Sequence, residues 1–170
     1  MSTTTVRARQ EGEIKRVGRS NGRENRWTPS ARKNALRRAA VESMPARALV
    51  AEDDDDMRRL VVRALRDEGF DVVDVRSGWA LLEYLGARIF DGRRDPPLDL
   101  IVSDVRMHGV TGLEVLAGLR QTNWSTPVIL ITAFGDAKLH AEARRLGAFV
   151  FDKPFDFNDL RRLARTMAGS

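Results

Sequence analysis

Cysteine is absent from all 170 residues, and histidine occurs only twice, at His108 and His140. Disulfides and thiolate metal sites are therefore excluded, and two isolated imidazoles argue against zinc. Any metal should be a hard cation bound through oxygen. No apolar stretch approaches the roughly 20 residues needed to cross a bilayer, and the N-terminus lacks the apolar region of a signal peptide. These absences predict a soluble, cytoplasmic protein without a membrane partner. What remains is 42% apolar, enough for the core of one ordinary domain plus a tail.

A net charge of +5 suggests nucleic acid until it is divided along the chain. Residues 1–46 carry eleven Lys and Arg against four Glu, a balance of +7. The remainder carries 18 basic and 20 acidic residues, a balance of −2. The basic character belongs to a tail rich in Ser, Thr, Arg and Gly, with almost no apolar periodicity before Trp27. Such a segment cannot bury enough surface to offset the entropy of ordering. It is expected to be disordered, with a weak helix at 29–42 after Thr28-Pro29. Contact with nucleic acid is expected from this arm alone, if at all. A second reading starts the physiological chain at Met44-Pro45.

From Arg47 the pattern becomes regular. The apolar stretch Ala48-Leu49-Val50-Ala51 runs directly into five acids, Glu52, Asp53, Asp54, Asp55 and Asp56. It reads as a buried parallel strand whose carboxyl end opens onto a site. Strands near 47–51, 71–75, 98–103, 127–132 and 148–151 alternate with helices near 56–68, 78–89, 111–120, 136–146 and 156–167. On the first helix Met57, Leu60, Val61, Ala64 and Leu65 form an apolar stripe, with Arg58, Arg59, Arg63 and Arg66 on the other face. Leu81, Leu82 and Leu85 mark the second helix; Leu160, Leu163, Ala164 and Met167 mark the last. The loop at 91–97 breaks the pattern.

Repeated βα units predict an α/β fold with a parallel sheet covered on both faces. Ligands of such sheets bind outside the strands' carboxyl ends, where the strand order reverses. The residues just past the strands are Glu52 and Asp53, Ser103 and Asp104, Thr132 and Ala133, then Asp152, Lys153 and Pro154. Carboxylates suit Mg²⁺, a carboxylate can be a nucleophile, and a lysine can neutralise phosphoryl oxygens.

The segments Leu49-Val50-Ala51-Glu52-Asp53-Asp54, Leu100-Ile101-Val102-Ser103-Asp104-Val105-Arg106-Met107, Gly109, Gly112-Leu113, Ile131-Thr132-Ala133 and Lys153-Pro154-Phe155 resemble the receiver domain of bacterial two-component response regulators. The resemblance runs from about residue 47 to 168 of a domain read as 47–170. It implies a flavodoxin-like, doubly wound, five-stranded parallel sheet of order 2-1-3-4-5 with five helices. Asp104 is then the phospho-accepting aspartate, and Glu52 and Asp53 are the acidic pair for Mg²⁺, with the Arg106 backbone carbonyl as a further ligand. Thr132 takes the switch hydroxyl position and Lys153 the place that pairs with phosphoryl oxygens; Lys153-Pro154 is expected to be cis. The implied partners are a histidine kinase or phosphotransfer protein and a downstream protein target, and the implied state is a monomer or a phosphorylation-dependent dimer. With nothing after residue 168 to serve as an output domain, a regulatory switch signalling through protein contacts is expected, not a metabolic enzyme.

Other residues have plainer readings. Asp54, Asp55 and Asp56 suit a loop and a helix N-terminus, where the macrodipole favours acids. Asp152 reads as solvated, His108 and His140 as surface or packing residues, and Trp79 and Trp124 as partly buried packing. His108 stands where the family usually has proline. Val150 stands three before the lysine, where the family often has an aromatic, a role open to Phe149 or Phe151 if the strand shifts. A phosphohydrolase using an aspartyl phosphate is disfavoured, because Arg106 occupies the place of its acid/base aspartate.

Overall fold

Strands form here because each short apolar run is closed by a turn, and helices because each longer stretch keeps an apolar stripe. A computed structural model describes residues 44–90, 97–122 and 124–169, within a single unit spanning 43–170. The expected helix at 29–42 and residues 91–96 of the expected loop lie outside the described residues, as does the tail before residue 44.

The elements are β1 (Arg47–Ala51), α1 (Asp55–Asp67), β2 (Asp71–Val75), α2 (Gly78–Phe90), β3 (Leu100–Asp104), α3 (Gly112–Gln121), β4 (Val128–Thr132), α4 (Ala137–Arg145), β5 (Ala148–Asp152) and α5 (Phe157–Ala168). All strands pair in parallel, in the order β2-β1-β3-β4-β5, the flavodoxin-like arrangement expected from the sequence. Among the described residues no helix is long and apolar enough to cross a membrane.

The near-continuous apolar strands conceal a period of two that sorts side chains between two cores. Leu49, Ala51, Ile101, Val128 and Leu130 face Leu81, Leu85, Val115, Leu116 and Ala143. Ala48, Val50, Leu100, Val102, Ile129 and Ile131 face Val61, Leu65, Leu160 and Ala164. Helices α2, α3 and α4 thus cover one face, α1 and α5 the other. Each fully buried Leu or Ile contributes about 1.5–3 kcal/mol through the area it removes from water.

Helix starts follow local chemistry. Asp54, Thr111, Asp136 and Asp156 are N-caps whose side chains accept from backbone N–H groups of the first turn. Asp55 and Asp56 occupy the first turn of α1, as the macrodipole favours. Gly69 follows α1 with φ of +87°, a left-handed conformation that glycine adopts without penalty.

The expected α1 stripe is rotated. Leu60 is 50% exposed, whereas Arg58 is only 3% exposed and lies with Val61, Val62, Ala64 and Leu65 on the buried side. Periodicity failed here because the guanidinium finds inward partners that hydropathy cannot register. Leu82 is likewise exposed, leaving Leu81 and Leu85 to anchor α2. Trp79 is 60% exposed, contrary to its packing role, although its ring lies where a Cβ on Gly109 would sit.

Candidate functional site

The strand order reverses between β1 and β3, which pair through Ala51↔Ser103. One step further along each strand places Glu52 beside Asp104. The β3–β4 and β4–β5 registers end on Asp104↔Ile131 and Thr132↔Asp152, so Thr132 and Lys153 emerge at the same edge. The backbone continues this bracing: Val105 N–H donates to Ile131 C=O at 2.8 Å, and Lys153 N–H to Thr132 C=O at 2.7 Å.

Glu52, Asp53 and Asp104 each offer a carboxylate oxygen, and these oxygens lie within 4.8 Å of one another. Glu52 is 2% exposed and Asp104 7%, whereas Asp53 is open to solvent. Lys153 Nζ donates to Glu52 Oε2 at 2.8 Å and to Asp104 Oδ2 at 3.3 Å. Asp104 Oδ1 accepts from the Arg106 N–H at 3.3 Å, and Asp53 Oδ2 from the His108 N–H at 3.0 Å. Thr132 is fully buried, and its Oγ1 accepts from the Phe134 N–H at 3.2 Å. The Lys153-Pro154 peptide is cis.

Burial pushes the Glu52 carboxyl above its ordinary value; the Lys153 hydrogen bond opposes this and the nearby Asp104 charge reinforces it. Burial pulls the Lys153 ammonium down, but its bonds and charge contacts with Glu52 and Asp104 prevail and its pKa is raised. Three carboxylates with one ammonium leave a formal charge of −2 when all are ionised. A hard divalent cation matches both that charge and the all-oxygen donor set. By donor chemistry the residues therefore fit Mg²⁺.

The β5 register settles the question about the aromatics. Val150 pairs with Leu130 and packs in the core under α2, α3 and α4. Phe149 and Phe151 alternate to the other sheet face, where Phe151 packs 5.4 Å from Phe155 and Phe149 is left exposed. No shift brings a phenylalanine to the Val150 position. Asp152, expected to be solvated, is exposed but pairs with His140 Nε2 at 3.1 Å. Trp124 is half-buried, with Nε1 donating to Thr126 Oγ1. Two neighbours of the site escaped sequence reasoning. Arg58 donates to the Glu52 carbonyl, and the Arg106 guanidinium lies over the 67%-exposed Phe134 ring at 4.8 Å. An arginine in an acid-rich first turn and an aromatic two residues after Thr132 were the available signals.

The family model of the response regulator receiver domain matches residues 48–165. Transcriptional regulatory protein FixJ of Azorhizobium caulinodans is 38% identical over 118 residues, covering 68% of this chain and 50% of that protein. Regulatory protein AtoC of Escherichia coli is 31% identical over 120 residues, covering 70% of this chain and 24% of that one. The matched region thus spans half or less of these relatives' length. The structure of response regulator protein TrrA from Thermotoga maritima, in complex with Mg²⁺-BeF, superposes with a TM-score of 0.60 at 24% identity, covering 72% of this chain and 98% of that one. Sequence match, strand order and the acid-lined sheet edge agree: the chain belongs to the response regulator receiver domain family of two-component signalling proteins.

Proposed function

We propose that this protein is a phosphorylation-dependent switch whose acceptor is Asp104, fed by the phosphohistidine of a histidine kinase or phosphotransfer protein. The observation that carries the reading is the convergence of Glu52, Asp53, Asp104 and Lys153 at one sheet edge. An Asp104 carboxylate oxygen attacks phosphorus, the phosphorus–nitrogen bond breaks, and its electron pair stays on the donor imidazole. Glu52, Asp53, Asp104 and the Arg106 carbonyl would hold Mg²⁺, which when bound supplies positive charge to the phosphoryl oxygens. The receiver fold of TrrA was solved in complex with Mg²⁺-BeF, which is in keeping with this reading.

Lys153 contributes the second positive charge, exchanging a contact with Asp104 for one with the new phosphoryl group. Thr132 contributes a buried hydroxyl at the head of the loop leading to α4. Turning that hydroxyl toward the phosphoryl group breaks its bond with the Phe134 N–H and releases the loop. Output then passes through protein contacts on the face of α4, β5 and α5, where Phe149 is exposed.

Incubation with a small-molecule phosphodonor and Mg²⁺, followed by intact-mass analysis, tests the reading. Wild type should gain one phosphoryl group, and Asp104→Asn should gain none. Wild type that stays unmodified would leave the chain a receiver fold without the switch.

A further inference from the structure

Arg58 is the one buried basic side chain among the described residues, and the chemistry proposed above gives it no role. Placing a guanidinium out of water costs several kcal/mol unless its donors are all engaged. Here each nitrogen has a partner. Nη1 donates to the Glu52 carbonyl at 2.9 Å, Nε donates to Asp74 Oδ2 at 3.1 Å, and Nη2 bonds Asp55 Oδ1. These partners lie on three separate pieces of chain: the end of β1, the β2 strand and the first turn of α1.

The Glu52 carbonyl is the telling partner. Ladder pairing of β1 with β2 ends as the Glu52 N–H donates to Val75 C=O at 3.2 Å. Beyond that bond the main chain leaves the sheet and carries Asp53 into solvent. Side-chain contacts hold this short segment: Arg58 on the Glu52 carbonyl, Glu52 Oε1 accepting from the Asp54 N–H at 3.3 Å, Asp54 Oδ1 capping Met57 N–H at 2.7 Å, and Asp53 Oδ2 accepting from the His108 N–H at 3.0 Å; of these, Arg58 is the one that reaches the carbonyl between the two acids. Without the guanidinium, the carbonyl between the two acids would be held by no sheet bond.

We propose that Arg58 is a positioning residue for the acidic site, its buried guanidinium setting the direction in which Glu52 and Asp53 present their carboxylates by clamping the peptide between them to β2 and α1. The inference rests on the metal-binding reading given above. It assigns Asp74, an edge-strand residue outside the acid cluster, a supporting role through its bond to Nε. Lysine cannot replace Arg58, because one ammonium cannot reach three diverging acceptors with the planar fork of a guanidinium.

The test uses the full chain with two variants, Arg58→Lys and Asp74→Asn, and two measurements. The first is an Mg²⁺ titration followed by amide NMR shifts. The second is amide exchange in the presence of a chelator, comparing residues 53–56 with β3 and β4. Arg58→Lys should raise the Mg²⁺ Kd by about tenfold, the usual effect of losing an outer partner of a metal ligand. It should also speed exchange at 53–56 while β3 and β4 stay protected. Asp74→Asn, with only one of the clamp's bonds altered, should shift both readouts in the same direction by less. Global loss of protection with an unchanged Kd would assign Arg58 to stability alone and overturn the proposal, as would unchanged Kd and exchange in both variants. If Arg58→Lys fails to fold, Asp74→Asn decides. Wild type showing no Mg²⁺-dependent shifts would instead overturn the metal reading, and with it any role of Arg58 toward the metal.

Discussion

At Glu52 the demands of burial and of charge oppose each other. The carboxyl is raised above its ordinary value of 4.5, burial being the main cause and Lys153 only a partial compensation. A carboxyl raised in the fold favours folding most when protonated. That contribution is complete below the unfolded value and is lost as pH rises through the higher folded value. Ionising Glu52 therefore costs the metal-free protein stability. Between about pH 4 and about pH 8 wild type should lose stability that Glu52→Gln, with no carboxyl to titrate at this position, keeps. Urea unfolding in chelator at both pH values measures this, and an equal difference at the two would show that Glu52 ionisation is not linked to folding. Lys153 carries the opposite charge: its raised pKa contributes stability below 10.5 that is lost only above that value.

Among the elements, the start of α3 lies tightly against the strand end that carries Asp104. The Gly112 N–H donates to Val105 C=O at 3.0 Å, and a Cβ at Gly112 would lie 2.3 Å from the Asp104 carbonyl oxygen and 2.6 Å from Ser103 Oγ. Glycine is required here by close approach, since both atoms belong to the strand end that carries Asp104. Thr111, one residue earlier, forms a reciprocal capping box with Glu114, whose carboxyl the Thr111 hydrogen bonds hold below the usual range. The two positions separate stability from chemistry. Thr111→Ala should cost about 1 kcal/mol and leave the phosphorylation rate unchanged, because the cap faces solvent. Gly112→Ala should cost roughly 1–3 kcal/mol and also slow phosphorylation by displacing Asp104. Urea melts paired with phosphodonor time courses distinguish them; equal rates in the two variants would argue against the coupling of α3 to Asp104.

Across the whole molecule, charge divides along the chain: residues 1–46 carry +7 and the rest −2, and among the described residues the first fully buried core side chain is Ala48. We therefore expect a chain beginning at Met44 to unfold in one cooperative transition and to accept a phosphoryl group at the full-length rate. Salt-sensitive DNA binding that disappears with this truncation would give the arm a separate role. A truncated chain that folds but is phosphorylated more slowly would tie the arm to the switch.

Much of this was readable in advance, and for definable reasons. Short apolar runs ending in Glu52-Asp53, Asp104, Thr132 and Lys153 determine the strands and which residues reach their carboxyl ends, because alternation of βα units leaves few ways to cover a parallel sheet. The acids at Asp54, Asp55 and Asp56 declared a helix start in the same local terms. Other features depended on partners distant in the chain, which no local pattern encodes. Burial of Arg58 depends on Asp74, 16 residues away, and the exposure of Leu60 is the converse of that rotation. The place of Val150 depends on the β4–β5 register. Sequence by itself determined the order of elements and the chemistry gathered at one edge, since both follow from local periodicity. Only the tertiary structure decided which charged groups were buried and paired, since a charge enters the interior when its bonding partners, supplied by other strands and helices, are already in place.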